Sequence, residues 1–545
     1  METISFGSVI AYIGIITNPD AVFSKLNIPY LNDFYANVDK KELIFLSSFA
    51  LFILFLFRNV YLGFINFFSR KFIYNIVVFN TEKLFYFYIN SPLKLHFKKK
   101  PEILTRNLEQ LMFAVCERIF YFSVILRELL IFIVIISAIF LFNTLITTIV
   151  FLILMLVSFI FIRILKKSLK KRSIIAHQHD VSRLKMINEF YFNLKEIKLY
   201  NLGSKVLSQF MKSLKGVESH RVFFNTVNAL PRLFLEIIAL AGILFIVITS
   251  NILGLDSEQI ITIITVVAIC ASRMIPGFQQ ISTAMNVLNN TKFAIDIIQD
   301  DINNFIKKHN LLKISANKNF VFKSFEMNNC SFSYFQDIDV LKNINLKINS
   351  GDKICIIGES GSGKSTLLTI IMGLLSPNNG KIEINNDHLD NQNLFDYQSQ
   401  IGYVAQDVFL LDDTIINNIA LGQEKEEIDS NRIEKIIKIL NLDKLINNSE
   451  MGLQTLVGTK GSRLSGGQIQ RIGIARALYK QPKVIFFDEA TSSLDEINEK
   501  QIMDSIFNLF ANNTIIFVTH KKSLKDYFNR TIVIDNGEIV QDTLN

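Results

Sequence analysis

The sequence predicts a multi-domain membrane protein: an all-α transmembrane bundle of six helices, the first of them cut short, followed by an α/β domain. Three observations carry that prediction. Apolar residues gather in long Phe, Ile and Leu runs before about Asn290, and half of the 545 residues are hydrophobic, which is high for a water-soluble chain. Lys and Arg cluster at the ends of those runs. Beyond about Phe320 the chain turns mixed polar and carries a glycine-rich motif between a β-like run and a helical one.

A membrane-crossing helix needs roughly 20 apolar residues. Leu43 to Phe68, Ile119 to Phe142, Leu145 to Ile164, Ala229 to Ile248, and Ile260 to about Thr283 reach that length. Ile4 to Thr17 does not, and reads as a re-entrant piece or the surviving end of a longer helix. The segments Ser69 to Arg118 and Lys166 to Asn228 are long and rich in Lys and Arg, which places them in the cytoplasm. The turns near Asn143 and from Asn251 to Ser257 are nearly free of positive charge and face outward. The C-terminal domain is thereby placed on the cytoplasmic side. Helical periodicity persists through Met186 to Phe210, which predicts membrane helices that continue into the cytoplasm.

The net charge of +8 does not point to nucleic acid. Lys98-Lys99-Lys100 and Lys166-Lys167 with Lys170-Lys171-Arg172 sit at the ends of apolar helices, the positive-inside pattern that also attracts anionic lipid heads. The four cysteines, Cys116, Cys270, Cys330 and Cys355, form no C-x-x-C pair, so neither a zinc site nor a redox motif is indicated. The N-terminal residues lack a basic stretch and a small-residue cleavage site, so no signal peptide is expected.

Several charges interrupt the apolar runs: Arg58, Arg127 with Glu128, Arg232 with Glu236, and Arg273. A charge at mid-membrane costs about 2.5–3.5 kcal/mol, so each needs a partner or a water-filled cavity. Arg232 and Glu236, four apart, can pair on one helix face or line a cavity together. Arg58 and Arg273 have no partner nearby in sequence and read as cavity-facing. Pro231 and Pro276 lie beside two of these charges and are expected to kink their helices.

The C-terminal motif is Gly358-Glu359-Ser360-Gly361-Ser362-Gly363-Lys364-Ser365, which fits G-x-x-x-x-G-K-[ST]. The β-like Lys353 to Ile357 precedes it and a helix over Thr366 to Leu375 is expected to follow, the context that separates it from a chance glycine-rich turn. Backbone N–H groups of such a loop donate to phosphates. Lys364 reaches the β- and γ-phosphates of ATP, and the Ser365 hydroxyl ligates Mg2+. Val484 to Asp488 is a buried-type strand ending in an acid suited to hold Mg2+ through water, and Glu489 follows as general base. A third such strand runs from Ile515 to His520, whose imidazole is placed for the γ-phosphate.

Between these motifs lies Leu464-Ser465-Gly466-Gly467-Gln468, followed by Arg471 and Ala475-Arg476-Ala477. The pentapeptide resembles the signature of ABC ATPases, and a Ser with two Gly at a helix start makes an anion site. The resemblance implies that this site serves the opposite subunit, so that two domains sandwich two ATP molecules head to tail. It also assigns further residues. Tyr334 resembles the aromatic that stacks on adenine, with Thr366 beside the phosphates. Gln406, in Tyr403-Val404-Ala405-Gln406, resembles the glutamine that senses Mg2+ and γ-phosphate. Ser492-Ser493-Leu494-Asp495 looks like the D-loop, and His520 matches the H-loop. Thr455 to Gly461 resembles an exporter-specific loop, with Thr459 where an acid is usual.

Six membrane helices and one nucleotide domain resemble the plan of an exporter half-transporter, with a membrane domain over 1–290, a linker over 291–322 and a nucleotide-binding domain over 323–545. The resemblance implies a homodimer with two competent ATP sites. It also implies a fuller first helix, so either the start codon is placed late or the copy is truncated. Among exporters the chain is most similar to bacterial flippases of lipid-linked oligosaccharides. Phe57-Arg58, Leu230-Pro231-Arg232 with Glu236, Arg273 with Pro276, and Leu194 to Leu199 carry that likeness. It implies the bacterial inner membrane, a substrate path lined by Arg58, Arg232, Glu236 and Arg273, and arginine contacts to a pyrophosphate, to which a guanidinium binds bidentately. A peptide, bacteriocin, lipid A or drug exporter would share the ATPase, and a truncated copy would bind ATP without transport.

Overall fold

The computed structural model describes residues 2–17, 39–141, 172, 174–191, 193–252, 257–306, 320–335, 338–389, 391–491 and 496–544. Its chain divides into a helical unit, Met1–Ser91 with Lys99–His309, and a C-terminal unit, Pro92–Lys98 with Asn310–Asn545.

The helical unit contains α1 (Glu2–Thr17) and α2 (Lys40–Ile89), after which the chain contributes α3 (Leu93–Lys98) to the C-terminal unit. It resumes with α4 (Pro101–Arg106), a π-helical turn (Asn107–Leu111), α5 (Met112–Leu141), α6 (Leu194–Leu199), α7 (Gly203–Ile252), α8 (Ser257–Asn290) and α9 (Lys292–Ile306). Among the described residues three helices are long and apolar enough to cross a membrane: Lys41–Ile89, Pro101–Ser137 and Gly203–Thr249. At 1.5 Å per residue, α2 and α7 are each about 75 Å long, more than twice the roughly 30 Å hydrocarbon core. Their apolar side chains, Phe45, Phe52, Phe64, Ile237 and Leu240 among them, stand exposed, which suits lipid and not water. Leu145 to Ile164 lies outside the described residues.

The packed interior of this unit joins Ile131, Phe132 and Ile135 of α5 to Leu235 of α7 and to Met274 and Phe278 of α8. Gly277 permits the approach, since a Cβ there would lie 2.7 Å from the Phe132 ring and 2.9 Å from a Glu128 carboxylate oxygen. α7 and α8 run unbroken through Pro231 and Pro276.

Secondary structure in the helical unit adds detail to two stretches read from sequence. The periodic run Met186 to Phe210 is not one helix. A helix over 174–191 stops before the separate α6, and Asn201 takes a left-handed φ of 52° ahead of α7. Asparagine tolerates that conformation, and a helix cannot pass through it. Within 291–322, α9 (Lys292–Ile306) buries Ala294, Ile298 and Asp301.

The C-terminal unit holds two sheets. An antiparallel one, in the order β2-β1-β4-β5, comprises β1 (Ser324–Phe332), β2 (Leu341–Asn349), β4 (Asn379–Ile384) and β5 (Asp387–His388). The other, β10-β9-β3-β8-β7-β6, comprises β3 (Lys353–Ile357), β6 (Ile401–Val404), β7 (Val484–Asp488), β8 (Thr514–Val518), β9 (Arg530–Asp535) and β10 (Glu538–Leu544). It is parallel except for β10. Helices α10 (Lys364–Ile371), α11 (Ile415–Ile419), α12 (Ser430–Ile439), α13 (Gly466–Tyr479) and α14 (Glu496–Leu509) accompany the strands. Alternation along β7 divides its side chains between two cores. Ile485 and Phe487 join Ile433, Ile472 and Phe517, while Val484 and Phe486 join Phe325, Leu346 and Leu367. β3 and β7 take the bounds read from sequence. α10 stops short of the predicted Leu375 because Gly373 adopts φ 70°, the left-handed turn that ends many helices.

Candidate functional site

The glycine-rich loop joins the end of β3 to the start of α10. Gly361 and Gly363 hold φ values of 86° and 103°, open to glycine at little cost. At Gly358 a Cβ would lie 2.3 Å from the Ile534 carbonyl, so no side chain fits there. The Lys364 ammonium donates to the carbonyls of Gly358 at 3.0 Å and Glu359 at 2.7 Å, folding across the loop it is meant to serve. Ser365 Oγ donates to Asp488 Oδ1 at 3.3 Å, which brings α10 and the end of β7 together. Burial, and then the neighbouring Glu489 charge, push the Asp488 carboxyl up, while Ser365 and Lys364 oppose that shift.

A hydroxyl and a carboxylate this close are hard oxygen donors fitting a small divalent cation. A cation there would stabilise the ionised carboxylate that burial disfavours. Ser365 and Asp488 are therefore the residues that would hold Mg2+.

Glu489 leaves β7 with φ 47° and donates its backbone N–H to the Val518 carbonyl at 3.0 Å. That turn sets its carboxylate between two sequence-distant groups. Gln406 Nε2 donates to Oε2 at 3.0 Å, and His520 Nδ1 lies 3.7 Å from Oε1. Gln406, Asp488, Glu489 and His520 come from the ends of β6, β7 and β8, adjacent parallel strands, so one sheet edge gathers them. Tyr334 places its hydroxyl 3.1 Å from Thr366 Oγ1.

Ser465 caps α13. Its Oγ accepts from the Gln468 N–H at 3.4 Å, and Gln468 Oε1 accepts from the Ser465 N–H at 2.8 Å, a reciprocal capping box. Ser465 and Gly466 are exposed, while Leu464 packs on the core below. Arg471 and Arg476 serve the structure, donating to the Leu440 and Phe409 carbonyls respectively. Thr459 Oγ1 donates to Asp412 Oδ2 at 3.0 Å, so a carboxylate from a neighbouring loop stands beside the position that lacks one. Asp495 lies outside the described residues.

In the helical unit, Arg232 and Glu236 form their i,i+4 pair at 2.7 Å on an exposed face. Arg58 places its guanidinium 5.3 Å from the Phe55 ring. Arg273 differs from expectation: it reaches Glu128 at 3.1 Å, on another helix. Glu128 is fully buried and also accepts from Arg127 at 2.9 Å, and Arg127 bonds Gln280 at 2.5 Å. Sequence flagged Glu128, Arg127 and Arg273 as costly charges but carried no sign that they meet.

Residues 341–492 match the family model described as ABC transporter. The C-terminal unit therefore contains the region that this model describes, and the chain takes the fold of a solved exporter, an apolar helical region followed by an α/β domain. It superimposes on the structure of a bacterial Atm1-family ABC exporter with ATP bound, with a TM-score of 0.78, 19% identity, and 99% of this chain and 94% of that one covered. An export ATP-binding/permease protein of Rickettsia typhi is 30% identical over 382 residues, 69% of this chain and 63% of the relative. The ATP-dependent lipid A-core flippase 2 of Colwellia psychrerythraea is 28% identical over 386 residues, 69% of this chain and 65% of the relative. The chain thus spans less than two thirds of the length of these relatives.

Proposed function

We propose that two copies of this chain form an ATP-driven exporter in the bacterial inner membrane, with the ATPase units in the cytoplasm. The cargo is an anionic amphiphile of the lipid-linked oligosaccharide kind. The observation that carries the ATPase reading is Glu489, set beside Asp488 and held by Gln406, where a carboxylate can take a proton from an attacking water. Lys364 and the loop amides bind the phosphates. Ser365 and Asp488 would hold Mg2+, which would supply positive charge against the phosphates. His520 and Gln406 orient Glu489 and the water. Ser465, Gly466 and Gly467, at the start of α13, offer the second copy's nucleotide an anion site. Closure of two copies around ATP shifts the helical units between accessible states, because ATP favours the closed pair.

The substrate reading rests on the arginines of the apolar helices, which outnumber the carboxylates beside them and suit a phosphate-bearing headgroup. Arg58 and Arg232 are its best candidates, with Arg273 acting alongside its Glu128 partner. A second reading, a lipid A-core type of glycolipid, is favoured by the likeness to the Colwellia flippase. The test is ATP hydrolysis by the purified chain in liposomes, titrated with undecaprenyl-pyrophosphate oligosaccharide or with lipid A-core. Stimulation by the first alone supports the main reading, and stimulation by the second alone replaces it. ATP binding without translocation of either supports a chain that binds nucleotide only.

A further inference from the structure

Tyr334 is fixed by three contacts of different origin. Its ring meets Phe332 edge to face at 4.9 Å, and its hydroxyl meets Thr366. Both partners belong to the ATPase fold, Phe332 closing β1 and Thr366 lying in the first turn of α10. The third is Phe97, whose ring stands perpendicular to that of Tyr334 at 5.3 Å. Phe97 belongs to α3, the short helix that the chain sends into the C-terminal unit between Ser91 and Lys99. Within that unit α3 is seated by Leu93 against the core, and by Lys94, which donates to Asn378 Oδ1 at 2.8 Å and lies 5.0 Å from the Phe332 ring.

The chain on either side of this excursion is tied to one carboxylate of the helical unit. Asp301, 4% exposed, accepts from the Tyr88 hydroxyl at 2.7 Å and is ion-paired with Lys99. The Asn107 amide adds a bond of 2.9 Å. Tyr334 therefore takes one of its three contacts from a segment far from it in sequence.

We infer that Phe97 is a positioning residue for the nucleotide base, acting through Tyr334, so that base affinity and the seating of α3 are linked. The inference rests on the reading of Tyr334 as the adenine-stacking aromatic. Linkage is reciprocal: whatever factor α3 adds to ATP affinity, ATP adds to the seating of α3. Phe97 is 52% exposed, so its removal opens no core cavity.

The test measures binding of ATP and of inorganic tripolyphosphate to the full chain in detergent by calorimetry, with magnesium chelated so that nothing is hydrolysed. Tripolyphosphate engages the glycine-rich loop and has no base. Phe97→Ala is expected to weaken ATP binding about two- to tenfold, the scale of one aromatic edge contact, and to leave tripolyphosphate unchanged. In a Tyr334→Ala background the same change should add nothing. Equal weakening of both ligands, or no weakening of ATP, overturns the inference. Should Tyr334→Ala leave the ratio of the two affinities unchanged, the reading of Tyr334 fails and the inference falls with it. An effect of Tyr334→Ala with none from Phe97→Ala overturns the inference alone.

Discussion

Glu489 sits in a left-handed backbone conformation where β7 ends, a posture costing a non-glycine residue about 1 kcal/mol or more. Glu489→Gln keeps the size and the Gln406 contact while removing the base. Phosphate release should fall about 100-fold or more with ATP binding retained, as read by steady-state turnover against equilibrium binding. Asp488, whose carboxyl is raised by burial first, should hold a proton at a pH where an ordinary aspartate is ionised. Protons then compete with Mg2+, so the Mg2+ needed for half-maximal hydrolysis should rise as pH falls toward the raised value; Asp488→Asn should remove that pH dependence along with most activity. Sequence reached both acids because a buried strand rarely ends in two adjacent carboxylates unless they bind or react. It did not reach the Gln406–Glu489 contact, which joins positions 83 apart, or the Arg273–Glu128 pair, 145 apart. Helix packing creates the latter, and Glu128→Gln should destabilise the helical unit by about 3 kcal/mol, seen as a lower unfolding temperature in detergent.

Among the elements, the strands beside the nucleotide motifs were legible and the helix ends were not. β3 and β7 are apolar runs bounded by charge or glycine, a pattern with sharp edges. Helices end on single residues, and Asn201 and Gly373 carry that information in a φ angle that composition does not report. α9 hid inside an expected linker because its buried face is only a few residues wide. The helical stretch 174–191 contacts it through His177, whose ring lies 4.6 Å from that of Phe293. Burial, then the Arg106 charge, holds His177 at about 4, below its ordinary 6.5. A depressed pKa contributes stability that is present above the unfolded value and is lost as pH falls. Melting temperatures of the detergent-solubilised chain should therefore drop between about pH 6.5 and pH 4, and His177→Phe should flatten that drop.

At the scale of the whole molecule, hydropathy and the glycine-rich motif were enough to separate an apolar helical part from an α/β domain. They carried no sign that α3 packs within the C-terminal unit, because a six-residue helix has too little pattern to show which core it joins. In the proposed exporter, hydrolysis at Glu489 drives movement of a lipid across the bilayer. The most direct measurement is the appearance of an undecaprenyl-pyrophosphate oligosaccharide on the opposite leaflet of liposomes containing the purified chain, with ATP, for the native protein and for Glu489→Gln. ATP-dependent transfer by the native chain, absent in the variant, is the predicted result. Hydrolysis by the native chain with no transfer above protein-free liposomes, or equal transfer by both proteins, would contradict it.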